Sequence, residues 1–122
     1  MPTTASTTTI YDGQSITAGG GPTTSSGVDV SAHHSTGICI KITNGATGPT
    51  AATEVQLEVS ANAGTDYMEW GGPMIGGTAN NGIYSWSLTI PDWVQSIRAV
   101  VTHGTDQNTT LDMFLSGLTA VH

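Results

Sequence analysis

Few side chains in this sequence could do chemistry, and their spacing suits it poorly. His33 and His34, near Asp29, come closest to a metal-ligand cluster. Adjacent residues on a strand point to opposite faces, so the two imidazoles could not grip one ion without a bulge, and a polar strand end is the better reading. His103 and His122 fall in no metalloenzyme spacing. Asp66 with Glu69, or Asp106 with Asp112, could approach as an acid/base pair, but 122 residues leave little scaffold for a substrate cleft beside two carboxylates. The serines lack the Gly-x-Ser-x-Gly elbow that would present a nucleophile. The expectation is no catalytic residue, no metal, no cofactor and no enzymatic activity.

Cys39 is the single cysteine, which excludes an intrachain disulfide and a Cys-based zinc site. Ile38 and Ile40 flank it, so it takes the opposite strand face and is expected to be a small packed or half-buried residue. Lys41 shares its face and leaves a reactive thiol as the other reading. Among the aromatics, Tyr84 and Trp86 share the apolar phase of one segment and belong in the core. Trp70 and Trp93 are left as candidates for stacking on a sugar ring.

The elements that must carry these residues are strands. Alternation is clearest in Glu54-Val55-Gln56-Leu57-Glu58-Val59-Ser60, and Val, Ile and Thr suit a pleated surface better than a helix. Strands are predicted at residues 14–18, 28–33, 37–43, 54–60, 84–90, 96–103 and 111–121, the last interrupted near Ser116-Gly117. Shorter ones are predicted at 7–11 and 66–70, with helix confined to a turn near Pro91 to Gln95. Ile38, Ile40 and Ile42, then Val55, Leu57 and Val59, then Tyr84, Trp86, Leu88 and Ile90 form inward faces, joined by Ile97, Ala99, Val101, Leu111, Met113 and Leu115. Val100 and Phe114 break the pattern on the other face and need a cover. Asn44-Gly45 and Asn81-Gly82 read as tight turns. The result is a single all-β domain, an antiparallel β-sandwich with jelly-roll-like topology over residues 11–122, preceded by an extended Thr-rich arm over residues 1–10.

Charge narrows the partners. Lys41 and Arg98 are the only strong cations against nine carboxylates, a net charge of −7, and such a field repels phosphate backbones. Direct nucleic-acid binding is disfavoured. Charged residues make up 9% of the chain, against roughly 25% in an ordinary domain, and neutral hydroxyls are cheaper to desolvate against a partner than charges are. No segment approaches the roughly 20 apolar residues of a membrane span, and Met1 to Thr9 lacks the basic and apolar regions of a signal peptide, so no membrane association and cytoplasmic synthesis are expected. The arm is expected to cross to a neighbouring subunit through Thr3, Thr7, Thr8 and Ile10, with folding onto its own domain as the other reading. The long irregular stretch from Trp70 to Gly82 offers Met74 and Ile75 as further interface residues.

Three phrases carry a resemblance: Glu54-Val55-Gln56-Leu57-Glu58-Val59-Ser60, Trp86-Ser87-Leu88-Thr89-Ile90-Pro91 and Ser96-Ile97-Arg98-Ala99-Val100-Val101-Thr102. With the Thr-rich arm they resemble the small accessory virion proteins of tailed bacteriophages, of the capsid decoration or cement type. The likeness is one of strand grammar over about two thirds of the chain. It implies a structural protein on the capsid exterior that bridges subunits of the major capsid protein, as a homo-oligomer with a trimer favoured. Neck and tail proteins of the virion share similar sandwiches, and a small carbohydrate-binding module is the reading from a different class.

Overall fold

The computed structural model describes residues 3–120. Ten strands and no helix are present among them: β1 (Thr3–Ile16), β2 (Thr23–Thr24), β3 (Val28–Asp29), β4 (His34–Asn44), β5 (Glu54–Ser60), β6 (Met68–Glu69), β7 (Met74–Ile75), β8 (Ile83–Thr89), β9 (Ser96–Thr102) and β10 (Thr109–Ala120). One sheet has the order β1-β10-β4-β8. In the other, β9 and β5 form the centre, β2 and β3 share the outer side of β9, and β6 and β7 share the outer side of β5. All pairings are antiparallel. Counting each split edge as one position, the chain visits eight positions and passes between the sheets in the order of a jelly roll.

The alternating residues fill the space between the sheets. Ile38, Ile40, Ile42, Val55, Leu57, Ile97, Ala99, Val101, Leu111, Met113 and Leu115 are all buried. Each belongs to one of the four central strands, where both neighbours in the sheet shield the inward face. Thr53 and Thr109 form a buried hydroxyl pair at 2.7 Å within this layer, which satisfies two polar groups that would otherwise be costly there.

Several expectations need correction. The separate segments 7–11 and 14–18 are parts of one strand, β1, whose register shifts near Tyr11 and before Gln14. Gly13 sits in that irregularity at φ 60, and its N–H donates to Asp112 Oδ1 at 2.7 Å. The predicted strand 28–33 is only Val28–Asp29, followed by a turn in which the His33 N–H donates to the Val30 carbonyl. His33 and His34 are thus not two residues of one strand, since β4 begins at His34. The interruption in β10 is real: pairing with β4 shifts between Ser116 and Leu118. A Cβ on the intervening Gly117 would lie 2.7 Å from Thr36 Oγ1.

Leu88 was expected in the core and is 37% exposed. Its phase is inward, opposite Ile38, but β8 is an edge strand with nothing beyond it. Asn44 ends β4 as a buried residue instead of opening a turn. Its Nδ2 donates to the carbonyls of Gly77 (3.0 Å) and Ala79 (2.8 Å), so it anchors the segment that leads into β8. The positive φ expected in this region falls on Asn81, at 56°.

Candidate functional site

From Thr3 onward, the expected arm over residues 1–10 is part of strand β1 of the sandwich. Thr3 to Thr9 pair in unbroken register with Ala120 to Phe114 of the same chain, so their inward-directed backbone groups bond β10. Thr7 is exposed, Thr8 is half-buried opposite Leu115, and Ile10 packs against the core. The side chain of Thr3 lies outside the described residues, as does His122. Met74 is buried in β7, which corrects its reading as an exposed contact, whereas Ile75 beside it is 51% exposed.

The acidic and nucleophilic candidates have structural partners. Asp66 accepts from Asn62 Nδ2 at 2.8 Å, while Glu69 stands opposite Glu58 on β5. Asp106 accepts from the Thr50 hydroxyl, and Asp112 bonds Gly13 and faces Lys41 at 3.9 Å. Asp66 and Glu69 line one groove, whereas Asp106 and Asp112 are held by separate partners. His103 ties two loops together, with Nδ1 at 2.8 Å from the Thr17 carbonyl and Nε2 at 2.8 Å from Thr23 Oγ1. Among the described residues, no group of three or more His, Cys, Asp or Glu side chains could hold a metal ion. Cys39 is exposed on the outer face, corrected from packed, with Sγ 3.6 Å from Ser87 Oγ.

Arg98 organises the outer face of the other sheet. Its Nε donates to Glu58 Oε1 at 2.7 Å, and its guanidinium lies 4.0 Å from the Tyr67 ring centroid. Tyr67 in turn shares a 2.7 Å hydrogen bond with Ser96. One cation thereby relieves the juxtaposition of Glu58 and Glu69 and fixes Tyr67 beside β6.

The surface that stands apart is the open side of the sandwich between β8 and the β6/β7 edge. Of the exposed large hydrophobic side chains among the described residues, Met68, Leu88 and Trp93 line this side, while Ile75 and Ile83 sit on the same two edges with the outward phase of Glu54 and Thr43. Trp70 sits between the edges. On one side it lines a hollow of about 290 Å³ with Met74 and Leu88, and on the other a groove of about 530 Å³ with Met68, Asp66 and Trp93. The two tryptophans singled out from sequence are therefore brought together, one from the end of β6 and one from the turn between β8 and β9. Met68, Ile83 and Leu88 were not singled out. Their edge location depends on strand order, which alternation does not encode.

The backbone of β8 is equally distinctive. The Ile90 N–H donates to Thr36 O, and the Asn44 N–H to Gly82 O, each at 2.8 Å. Hydrogen-bonded pairs recur every second residue in an antiparallel ladder. With Gly37 opposite Thr89 and Thr43 opposite Ile83, it follows that Tyr84, Trp86 and Leu88 bond to β4. Ile83, Ser85, Ser87 and Thr89 then direct their N–H and C=O groups away from the sheet. This seven-residue edge has no charge, proline, glycine or bulge, the features that ordinarily protect an edge from pairing. The other edges are either two-residue strands or, in β1, bent at the irregularities around Tyr11 and Gly13.

No protein-family model matches the chain, and no curated protein matches it in sequence. Solved structures do match in fold. The VP2 subviral particle of infectious bursal disease virus superposes with a TM-score of 0.61 at 16% identity, over 96% of this chain and 32% of that one. The SPBc2 prophage-derived protein YomS gives 0.53 at 14% identity, over 96% of both chains. An adhesin domain of Lys-gingipain from Porphyromonas gingivalis gives 0.54 at 9% identity, over 90% of this chain and 71% of that one. The chain thus spans about a third of the viral capsid protein and nearly the whole of the prophage protein. At these identities the likeness is one of fold, shared with a viral capsid protein and a prophage product.

Proposed function

We propose that the protein is a structural component of a virion, a decoration protein of a tailed-phage capsid that docks on neighbouring subunits through β8. The observation that carries this reading is the unprotected, uncharged β8 edge beside Ile83 and Leu88. An added strand would satisfy the outward groups of Ile83, Ser85, Ser87 and Thr89, and the flanking apolar side chains would supply burial. A partner strand meets no charge on β8 itself, although the chain as a whole carries −7. The fold shared with a viral capsid protein and a prophage product agrees with this role.

In this reading the partner is the major capsid protein, the location is the capsid exterior after synthesis in the host cytoplasm, and the protein acts as a homo-oligomer, with a trimer favoured. Many copies on one lattice turn a modest contact into strong retention. A neck or tail position in the virion would use the same edge. The role requires no catalysis, cofactor, nucleic acid or membrane. Its test is sedimentation of the purified protein with expanded capsids of the phage that carries its gene, alongside molar mass by light scattering. Saturable co-sedimentation at a fixed copy number supports decoration, and a protein that ignores capsids overturns it.

A further inference from the structure

We propose that the groove between Trp70 and Trp93 is a binding site for a neutral saccharide, independent of the docking edge on β8. The groove, of about 530 Å³, falls in the range of small-molecule sites. Its apolar walls are the two indoles and Met68, and Trp93 is 56% exposed at the end of a turn. An aromatic that only sealed the sandwich would be covered, as Trp70 partly is by the core. Trp93 instead presents a large rigid surface to solvent beside a second indole. That pairing suits the apolar faces of a pyranose ring, which stack on aromatic surfaces while the ring hydroxyls remain at the rim.

The polar rim is already organised. Asn62 Oδ1 lies 2.8 Å from Ser60 Oγ and accepts from the Asp66 N–H at 3.0 Å, while its Nδ2 donates to Asp66 Oδ2 at 2.8 Å. Asn62 and Asp66 are thereby held in one orientation along the groove wall, and Glu69 adds a second carboxylate. Planar carboxylates accept hydrogen bonds from adjacent sugar hydroxyls, and pre-set partners reduce the ordering cost of binding. No Lys or Arg lines the groove. Arg98 lies against Tyr67 at the groove wall but is paired with Glu58, so the two groove carboxylates still disfavour sialylated, sulfated or phosphorylated sugars, which makes neutrality part of the proposal.

The test titrates the full chain with maltotriose, cellotriose, chitotriose and lactose, and with sialyllactose as the anionic counterpart of lactose. Tryptophan fluorescence and saturation-transfer NMR report binding. The expected result is saturable binding of at least one neutral sugar, weakened about tenfold or more by Trp93→Ala, the loss of about 1.4 kcal/mol of stacking, and largely retained by Trp93→Phe. Sialyllactose should bind more weakly than lactose. The exposed turn position of Trp93 leaves the fold intact, which circular dichroism of the variants checks. Absence of saturable binding by every neutral sugar overturns the site, as does binding that survives Trp93→Ala or favours sialyllactose. Loss of capsid sedimentation in Trp93→Ala without sugar binding also overturns it and assigns the groove to a protein contact.

Discussion

Asn44→Ala is the substitution through which the docking edge can be weakened without touching it. Asn44 is 4% exposed, and its amide donates two hydrogen bonds, of 3.0 and 2.8 Å, to the carbonyls of Gly77 and Ala79. Its N–H also bonds Gly82 O, but that bond survives in any residue. Truncation removes two bonds worth about 1 kcal/mol each and leaves two carbonyls in need of partners. Against this, Asn44 Oδ1 is buried without a partner, and deleting it recovers part of the loss. The net expectation is destabilisation by about 2 kcal/mol, a fall in melting temperature of roughly 6–10 °C for a chain of this size. Asn44→Asp should be worse, since it sets a carboxylate against two carbonyls. Urea denaturation measures the difference, and hydrogen exchange should show faster opening of residues 77–82 and the start of β8. A loss below about 0.5 kcal/mol, or opening spread evenly over the sandwich, would refute the anchoring role.

Other expectations follow from single contacts. Arg98→Ala removes the ion pair to Glu58 and the stacking on Tyr67, and leaves Glu58 facing Glu69; a loss of about 1–2 kcal/mol is expected, partly recovered in high salt, where urea midpoints at two ionic strengths provide the check. Gly48→Ala should destabilise by about 1–3 kcal/mol through overpacking, because a Cβ there would lie 1.9 Å from the Thr78 carbonyl oxygen, and a melting temperature equal to the parent would contradict it. Burial raises the Tyr11 pKa above 10.0. Because the folded value lies above the unfolded one, the associated stability is complete below pH 10 and is lost as pH rises through the folded value, so the urea midpoint should decline from pH 9 to 11 less steeply in Tyr11→Phe.

Much of the architecture is legible because central strands bury one face only. Val55, Leu57 and Val59 alternate with Glu54, Gln56 and Glu58, and the structure buries the first set as expected. The same reasoning overreaches at Leu88, which has the right phase but the wrong place in the sheet. Thr3 to Thr9 carry no apolar alternation, and they form a strand because backbone hydrogen bonding to β10 needs none. β6 and β7 are too short for periodicity to mark. Trp70 and Trp93 were recognisable as candidates by type. Their meeting in one groove depends on β5 placing β6 alongside the turn that precedes β9, a non-local arrangement with no trace in local spacing.

The central claim, that β8 is a docking edge, is tested most directly by Ser87→Pro. The Ser87 N–H points away from β4, so proline there deletes an outward donor and leaves the β4 ladder its bonds. Capsid co-sedimentation and light scattering of this variant beside the parent form the measurement, with circular dichroism to show that both are folded. A folded variant that no longer sediments with capsids is the predicted result. A folded variant that sediments at the parent's copy number would contradict the claim and return the interface to the outer edge of β1.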